Sequence, residues 1–506
     1  MNIGFLVSRS TISCLDRPSR HLYVLMLAQI IFWTLIPYLS NQALPLDVIR
    51  EGLSWGQEWR LGYYKHPPLV SWITNISYEV IGDLGPYFLS QIFVALTYYY
   101  SYKTSEFYLS QRKAFLATLL LLGVYYFSWP TPEFNHNVAQ MPIWASLIFL
   151  FHKVIFLRDQ RAWILSGAVI GIGVLVKYSV LILPVLMLFH LMASRKIIET
   201  IKSWELYIGI ALAILIISPH AVWLFQNDFI TFQYLNDRAG AGLSKVESLI
   251  GGLKFLLAQI ADHLPMILAL GFAGLLNFKS WRLHKKKPQN LKALWLFGLG
   301  PCFLTIVISI VTGMGLRDMW GAPMWSLSGT LVMVSLSKNV DGNHYRKIVF
   351  CFGTLFLMVA VLYGISNKYG ALFSGKLKRT DWPAAKISES FEKKWISKTN
   401  CPLRIVAGEN WLAGLVSAKT LGRPSVWIDA DFQLSPWITG DRLQNEGALL
   451  LWLPGDSKHQ KMLRKAAEFG LVTNENPMFF NWPIGPKKES IVINWAYLKP
   501  QKCNYQ

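Results

Sequence analysis

The stretch LGYYKHPPL, residues 61–69, closes a long polar loop that follows the first hydrophobic span of the chain. The same loop carries Asp47 and, one helical turn later, Glu51. A carboxylate beside a low-dielectric boundary is costly unless it is paired or used. Two carboxylates, the cations Lys65 and His66 and a rigid diproline therefore suggest a chemical site at a membrane face rather than a simple connector.

The composition is that of a membrane protein. Of 506 residues, 53% are hydrophobic and 15% are charged, against roughly 25% charged residues in soluble domains. The net charge of +20 would indicate nucleic-acid binding in a soluble protein. Here Lys and Arg lie largely in short loops between apolar spans, so membrane orientation explains part of the charge, and anionic lipid or phosphate ligands could explain more. We therefore expect membrane lipids, and no nucleic acid, as partners.

Apolar runs close to the roughly 20-residue length of a transmembrane helix recur as far as residue 366. They predict about eleven transmembrane helices. The count changes if the fifth and sixth runs, which adjoin at Lys177, form one broken element. The predicted spans are 21–39, 86–108, 112–128, 138–157, 162–176, 178–194, 205–224, 248–275, 292–312, 320–336 and 347–366.

Loop charges predict the orientation of these helices. Basic residues cluster on one side of the spans, which the positive-inside rule assigns to the cytoplasm. They are Arg112, Lys113, Arg158, Arg161, Arg195, Lys196, Arg282, Lys285, Lys286, Lys287, Arg346 and Lys347. Residues 1–366 then form a transmembrane domain, and residues 367–506 form a soluble domain on the external side. The external loops of the transmembrane domain are 40–85, 128–137, 225–247 and 313–319.

The C-terminal region alternates strand and helix patterns, which predicts a small α/β domain. Strands are predicted near 404–408, 424–428 and 448–453, a helical stretch through residue 421, and helical periodicity from 457 to 469. The region has no glycine-rich phosphate loop, so we predict no nucleotide site there.

The five cysteines lack the spacing of metal ligands. Cys302 and Cys351 lie in apolar spans and are interpreted as packing residues. Cys401 and Cys503 flank the polar C-terminal region. They could pair if that region lies in an oxidising compartment.

The charged residues of the first loop each support more than one role. Asp47 could act as a general base toward an acceptor hydroxyl, or hold a divalent cation that screens a phosphate leaving group. By residue type alone, catalysis and structure are equally favoured for it. Glu51 is more simply the partner of Arg50 or Lys65. Lys65 suits a phosphate or a snorkelling position, and His66 suits the site or the cap of the following helix.

Four aromatic residues of the first loop predict an amphipathic helix at the membrane interface. Aromatic side chains concentrate at the level of the lipid headgroups, where they anchor such helices. The residues are Trp55, Trp59, Tyr63 and Tyr64.

The second external loop is also dense in hydrogen-bonding groups, since residues 129–137 read WPTPEFNHN. Glu133, Asn135 and Asn137 suit recognition of a carbohydrate or its phosphate. One of the two asparagines could instead cap the next helix.

Two cations outside these loops are further candidates. Lys177 interrupts an otherwise apolar stretch, which favours a bound lipid phosphate or simply marks a loop. Arg317 suits bidentate phosphate binding, unless the adjacent Asp318 neutralises it.

Two motifs carry a resemblance to a known family. The first loop ends in Gly62-Tyr63-Tyr64-Lys65-His66-Pro67-Pro68, and the second contains Phe134-Asn135-His136-Asn137. Over roughly residues 20–340 the chain resembles the polyprenyl-phosphate-sugar-dependent membrane glycosyltransferases. These include the protein O-mannosyltransferases and the lipid A aminoarabinose and galacturonic acid transferases.

The resemblance implies a fold and a reaction. The expected fold is an α-helical polytopic membrane protein of the GT-C type, followed by the small C-terminal α/β extracytoplasmic domain. The expected donor is a lipid-linked sugar, and the expected acceptor is lipid A or lipopolysaccharide first and a protein second. The expected location is the inner membrane of a bacterium, with the active site facing the periplasm.

The resemblance also implies roles for residues. Asp47 matches the catalytic acidic position of the first loop, and Lys65, His66, Lys177 and Arg317 are assigned to the lipid phosphate. Many members have Asp-Glu where this chain has Asp47-Val48. That difference leaves the role of Glu51 open, and with it metal dependence, so a divalent cation is a possible cofactor and no other is expected.

Two other classes of function are weighed against the enzyme. A transporter or flippase of lipid-linked sugars should show paired halves or helices broken at mid-membrane, whereas the sequence has no internal repeat and its polar groups cluster in external loops. A structural membrane subunit with a sensor tail would make Asp47 dispensable.

Overall fold

The computed structural model describes residues 18–240, 242–275, 291–336, 340–482 and 490–503. The basic group Arg282 and Lys285–Lys287 therefore lies outside the described residues. The helices are α1 Pro18–Ser40, α2 Leu69–Ile81, α3 Leu84–Ser105, α4 Gln111–Leu120, α5 His136–Leu157, α6 Ala162–Val176, α7 Ile182–Ala193, α8 Ile197–Ile201, α9 Trp204–Gln226, α10 Ile230–Ala239, α11 Lys245–Asp262, α12 Leu264–Phe272, α13 Leu291–Thr312, α14 Ser328–Ser335, α15 Gly342–Ser374, α16 Ala384–Thr399, α17 Asn410–Lys419, α18 Gly440–Glu446 and α19 His459–Ala467.

The predicted membrane architecture is confirmed as a helical protein with a small C-terminal sheet domain. Within the described residues, six helical segments are long and apolar enough to cross a membrane, namely α1, α5, α9, α11 with α12, α13 and α15. Three other predicted spans are broken, because 3₁₀ turns follow α4 and precede α7 and α14. The number of crossings and their orientation stay predictions.

Helices α6 and α9 approach each other through glycine. A Cβ on Gly167 would lie 1.9 Å from the carbonyl oxygen of Gly209, and a Cβ on Gly209 would lie 2.3 Å from the carbonyl oxygen of Trp163. Small residues let helix backbones come close where lipid supplies no hydrophobic driving force. A larger residue at either glycine would force the two helices apart.

Contacts divide the chain into two compact units. The first, here the helical unit, contains the described residues up to Leu35 together with Phe88–Pro132 and His136–Val361. The second, here the loop–tail unit, contains Ile36–Tyr87, Glu133–Asn135 and the described residues from Leu362 onward. This grouping differs from a single division at residue 366. The contacts of the first external loop place it in the same unit as the tail, which is the described part of the chain from Leu362 onward.

The tail is built on a five-stranded sheet with the order β2-β1-β3-β5-β4. The strands are β1 Ile405–Gly408, β2 Ser425–Ile428, β3 Ala448–Trp452, β4 Val472–Asn481 and β5 Ser490–Leu498. β1 pairs in parallel with β2 and β3, whereas β5 runs antiparallel between β3 and β4. The predicted strands β1 to β3 and helices α17 and α19 are confirmed. Strands β4 and β5 were not predicted.

The interior of the tail is rich in tryptophan. Trp395, Trp411, Trp427 and Trp495 are all buried. Trp411 lies in the first turn of α17, where the side chain of Glu409 accepts hydrogen bonds from the backbone N–H groups of Trp411 and Leu412, each at 3.2 Å. This cap satisfies donors that the first turn of a helix leaves unpaired, and it fixes the start of α17.

The pairing of Cys401 with Cys503 is confirmed. The two residues form a disulfide with a Cα–Cα distance of 5.3 Å. The bond joins positions that are 102 apart in sequence, so it ties the end of the described chain to the loop before β1. Cys302 and Cys351 are free thiols.

Removing this disulfide should destabilise the tail by about 2–4 kcal/mol, because a cross-link that closes a long loop restricts the unfolded chain. Cys401→Ser, Cys503→Ser and the double variant should lose the same free energy of unfolding, since each removes the same bond. Urea unfolding of the full-length protein in detergent, followed by tryptophan fluorescence, measures this loss. Cys302→Ser is the control, as that thiol is free. A loss of unfolding free energy in the double variant that equals the sum of the two single losses would contradict the bond.

Candidate active site

Asp47 directly precedes a π-helix, Val48–Leu53, in which Val48, Ile49, Glu51, Gly52 and Leu53 are buried. π-helices are rare and are frequently found at functional sites. The hydroxyl of Ser54 donates to the carbonyl oxygen of Ile49 at 2.8 Å, which satisfies one backbone acceptor of this turn. The segment therefore holds its polar side chains on a fixed backbone.

Glu51 is the centre of an ion cluster in the loop–tail unit. Its side chain is 4% exposed and pairs with Lys65, and Nη2 of Arg50 lies 3.3 Å from Oε1 of Glu51. The predicted pairing with Arg50 or Lys65 is thus confirmed for both partners. Nε2 of His66 lies 3.8 Å from Oε2 of Glu51. This distance places His66 beside the cluster, and His66 is not the cap of helix α2, because the N-cap position of α2 is Pro68.

Asp47 joins the same cluster through two contacts. Its Oδ1 lies 2.9 Å from Nη2 of Arg50, and its backbone N–H donates to Oε1 of Glu133 at 2.8 Å. Glu133 comes from the second predicted external loop, so the fold brings two loops together here. Asn135 follows Glu133 in the same unit and directly precedes α5.

Burial shifts the carboxyl groups of the cluster away from their ordinary ionisation. Burial raises the pKa of Asp47, and the nearby Glu51 raises it further, while Arg50 and Lys65 oppose the change. Burial raises the pKa of Glu133 to about 7, with Asp47 adding to the effect. Because neighbouring carboxylates disfavour a second negative charge, the cluster retains a proton close to neutral pH. A raised pKa in a polar cluster is typical of acid–base sites.

Two residues of the cluster have side chains that can bind a metal ion. Glu51 and His66 offer a carboxylate oxygen and an imidazole nitrogen, which are ligand types for a divalent cation. Lys65 already occupies Oε1 of Glu51. A cation bound at Glu51 would therefore compete with the ammonium group of Lys65.

The remaining predicted residues lie in the helical unit. Nζ of Lys177 donates to Oδ1 of Asn137 at 2.8 Å and lies 5.8 Å from the ring centroid of Trp320. Lys177 has an extended backbone between α6 and a 3₁₀ turn, so it does mark a break between two helices. Nη2 of Arg317 donates to the carbonyl oxygen of Arg238 at 3.4 Å.

The interpretation of the loop aromatics as headgroup anchors is wrong for two of them. Trp55 and Tyr63 are buried, with 0% and 2% of their surface exposed. Their rings stack at 5.1 Å, and the Tyr63 hydroxyl donates to the carbonyl oxygen of Trp55 at 2.8 Å. They lie inside the loop–tail unit because the tail covers this loop. Trp59 is 51% exposed.

Sequence reasoning missed two tail residues that reach the π-helix, Asn410 and Arg423. Asn410 donates to the carbonyl oxygen of Arg50, and Arg423 donates to that of Leu53. No local sequence pattern indicates these contacts, since the partners are far apart in sequence.

Comparisons with known proteins agree with this architecture. Residues 65–223 match the family model described as dolichyl-phosphate-mannose-protein mannosyltransferase. The lipopolysaccharide core galacturonosyltransferase RgtB of Rhizobium johnstonii is 24% identical over 447 residues, which is 85% of this chain and 87% of that protein. RgtA of the same organism, also described as a lipopolysaccharide core galacturonosyltransferase, is 26% identical over 172 residues, covering 33% of this chain and 34% of RgtA.

The fold is shared with a solved structure. The crystal structure of ArnT from Cupriavidus metallidurans bound to undecaprenyl phosphate aligns with a TM-score of 0.62 and 13% identity, over 94% of this chain and 97% of that one. The chain therefore has a fold of the GT-C type, and the matched family and the curated relatives are glycosyltransferases, in agreement with the prediction from the sequence.

Proposed function

We propose that this glycosyltransferase transfers a sugar from a polyprenyl-phosphate donor to an external acceptor hydroxyl, with Asp47 as the base. The observation that supports the proposal most is the cluster around the buried Glu51, in which Asp47 contacts both Glu133 and Arg50. A carboxylate with a raised pKa is a stronger base than an exposed one, and Arg50 keeps it oriented. Both properties suit proton abstraction.

The proposed step exchanges one bond for another. The acceptor hydroxyl attacks the anomeric carbon, forming a C–O bond as the bond from that carbon to the phosphate oxygen breaks. The electron pair leaves with the lipid phosphate, and the hydroxyl proton passes to Asp47. Attack opposite the phosphate inverts the anomeric centre. The phosphodiester supplies the energy, so no nucleotide is needed at the external face.

Cations would offset the charge that develops on the leaving phosphate, which is electrostatic stabilisation of the transition state. Lys65 and His66 are proposed for this role because they lie beside Glu51 at the closing motif of the loop. Lys177 and Arg317 stay proposed phosphate ligands. The hydrogen bond from Lys177 to Asn137 would hold the lysine in a fixed direction.

The relatives guide the choice of substrates. RgtB is described as acting on the lipopolysaccharide core, and ArnT was crystallised with undecaprenyl phosphate. We therefore propose an undecaprenyl-type donor and a lipopolysaccharide acceptor, with a protein acceptor second because of the matching mannosyltransferase family. The positive-inside rule supports an inner-membrane location with the first loop in the periplasm.

Asp47→Asn should abolish sugar transfer while leaving the fold intact, because the amide keeps the shape of the carboxylate but cannot accept the proton. The measurement is mass spectrometry of lipopolysaccharide from a deletion strain of the source cell, complemented with wild type or with the variant at equal expression. A sugar-sized mass should be missing in the deletion and restored only by wild type.

The matched control for this experiment is Asp159→Asn, which changes a carboxylate that pairs with Lys153 outside the cluster and should restore the mass. Restoration by Asp47→Asn would remove Asp47 from the mechanism. An unchanged mass in every strain would reject lipopolysaccharide and direct the search to glycoproteins.

Glu133→Gln should flatten the pH dependence of stability. Since the pKa of Glu133 rises from 4.5 to about 7 on folding, the folded protein binds more protons than the unfolded chain between these values. Stability of the wild type therefore falls as pH rises through this window. Glutamine keeps the Oε1 acceptor for the Asp47 N–H but does not titrate, so the thermal unfolding midpoint in detergent should fall less steeply.

Glu389 supplies the control for the pH experiment. Lys393 holds the pKa of this exposed carboxylate below its usual range, so Glu389→Gln should keep the wild-type slope above pH 4.5. Equal slopes in wild type and Glu133→Gln would show that Glu133 does not hold the proton.

A further inference from the structure

Helix α17 of the tail packs directly against the π-helix that follows Asp47. A Cβ added to Gly414 would lie 2.5 Å from Oγ of Ser54 and 3.0 Å from Cγ2 of Ile49. Both distances are shorter than ordinary carbon contacts, so only glycine allows α17 to come this close. The same Cβ would lie 3.6 Å from the backbone carbonyl oxygen of Ile49, so the tail reaches the backbone of the π-helix as well as its side chains.

Asn410, at the start of α17, contacts the middle of the π-helix. Its Nδ2 donates to the carbonyl oxygen of Arg50 at 3.3 Å. Asn410 is 7% exposed, and the cap by Glu409 fixes the turn from which it projects. Because Arg50 is the residue that pairs with Asp47, this contact acts on the cluster through one residue.

Arg423 contacts the end of the same π-helix. Its Nη2 donates to the carbonyl oxygen of Leu53 at 3.2 Å, and its Nη1 donates to Oδ1 of Asn75 in α2 at 2.6 Å. The guanidinium also lies 5.1 Å from the ring centroid of Tyr78, a cation–π distance. One side chain therefore links the π-helix to α2.

The backbone at Arg423 is itself unusual. Its φ is +44°, in the left-handed region that non-glycine residues enter at a cost. Such a conformation persists where surrounding contacts over-determine it. The contacts to Leu53 and Asn75 are contacts of this kind.

We propose that Asn410 and Arg423 are positioning residues, through which the tail domain holds the π-helix, and with it Arg50 and Asp47, in the reactive geometry. The two side chains supply donors from the tail to the backbone carbonyl groups of Arg50 and Leu53, so they fix the π-helix at its middle and at its last residue. The inference rests on the proposed function, since it concerns the placement of the proposed base. It gives the tail a role in catalysis without any contact to substrate.

The test uses the full-length protein in detergent, with the polyprenyl-phosphate sugar that the lipopolysaccharide comparison identifies. Asn410→Ala and Arg423→Ala should lower kcat on the order of 10- to 100-fold, because a small misplacement of a catalytic group has effects of this size. KM for the donor should change little. Hydrogen exchange of the peptide spanning residues 48–58 should become faster in both variants.

Two further variants separate positioning from bulk stability. Asn410→Asp keeps the shape of the side chain but removes the donor, so it should lower kcat as Asn410→Ala does. Lys398→Ala is the matched control, because it removes a tail cation that pairs with Glu475 at 2.6 Å away from the π-helix. It should leave both kcat and exchange unchanged.

The outcomes distinguish the inference from the function on which it rests. If Asp47→Asn is inactive while Asn410→Ala, Asn410→Asp and Arg423→Ala keep wild-type kcat and exchange, the positioning role is overturned and the proposed function stands. If Asp47→Asn is fully active, the proposed base fails, and the positioning role fails with it. An equal loss of kcat in Lys398→Ala would also overturn the inference, because it would indicate a general loss of stability.

Discussion

A carboxylate that folding withdraws from water must be paired, and in this protein that constraint falls on Glu51. Glu51 as a whole is 3% exposed. Removing one ion from water costs several kcal/mol unless close partners offset the cost. Arg50 and Lys65 are those partners. Because Glu51 lies in the π-helix and Lys65 in the stretch of residues 61–69, their pairing brings these two parts of the first loop together.

The same cluster explains how two carboxyl groups can take part in acid–base chemistry. The backbone N–H of Asp47 donates a hydrogen bond to the side chain of Glu133. Burial raises the pKa of both carboxyl groups. Arg50 stabilises the charge on Asp47, and Glu133 holds a proton near neutral pH. In the proposed mechanism Asp47 is the base, and Glu133 is the neighbouring carboxyl group whose pKa burial raises to about 7.

Some elements were predictable from local sequence and others were not. Hydropathy located the long helices α1, α5 and α9, since each carries its own apolar pattern. Strand β4 was missed because its sequence, VTNENPMFFN, is polar, contains a proline and pairs through a bulge between Glu475 and Met478. Such a strand exists only because β5 lies beside it, and a pairing between strands has no local signature.

Hydropathy and charge are properties of single segments, so they were sufficient to predict the membrane character, the α/β tail and most of the residues in the cluster. The packing of distant segments brings Glu133 to Asp47, buries Trp55 and Tyr63, and lets the tail supply Asn410 and Arg423 to the π-helix. These outcomes depend on which distant segment covers a given surface. Burial and hydrogen bonding between distant segments are set by the packing of the whole unit, so no short stretch of sequence contains them.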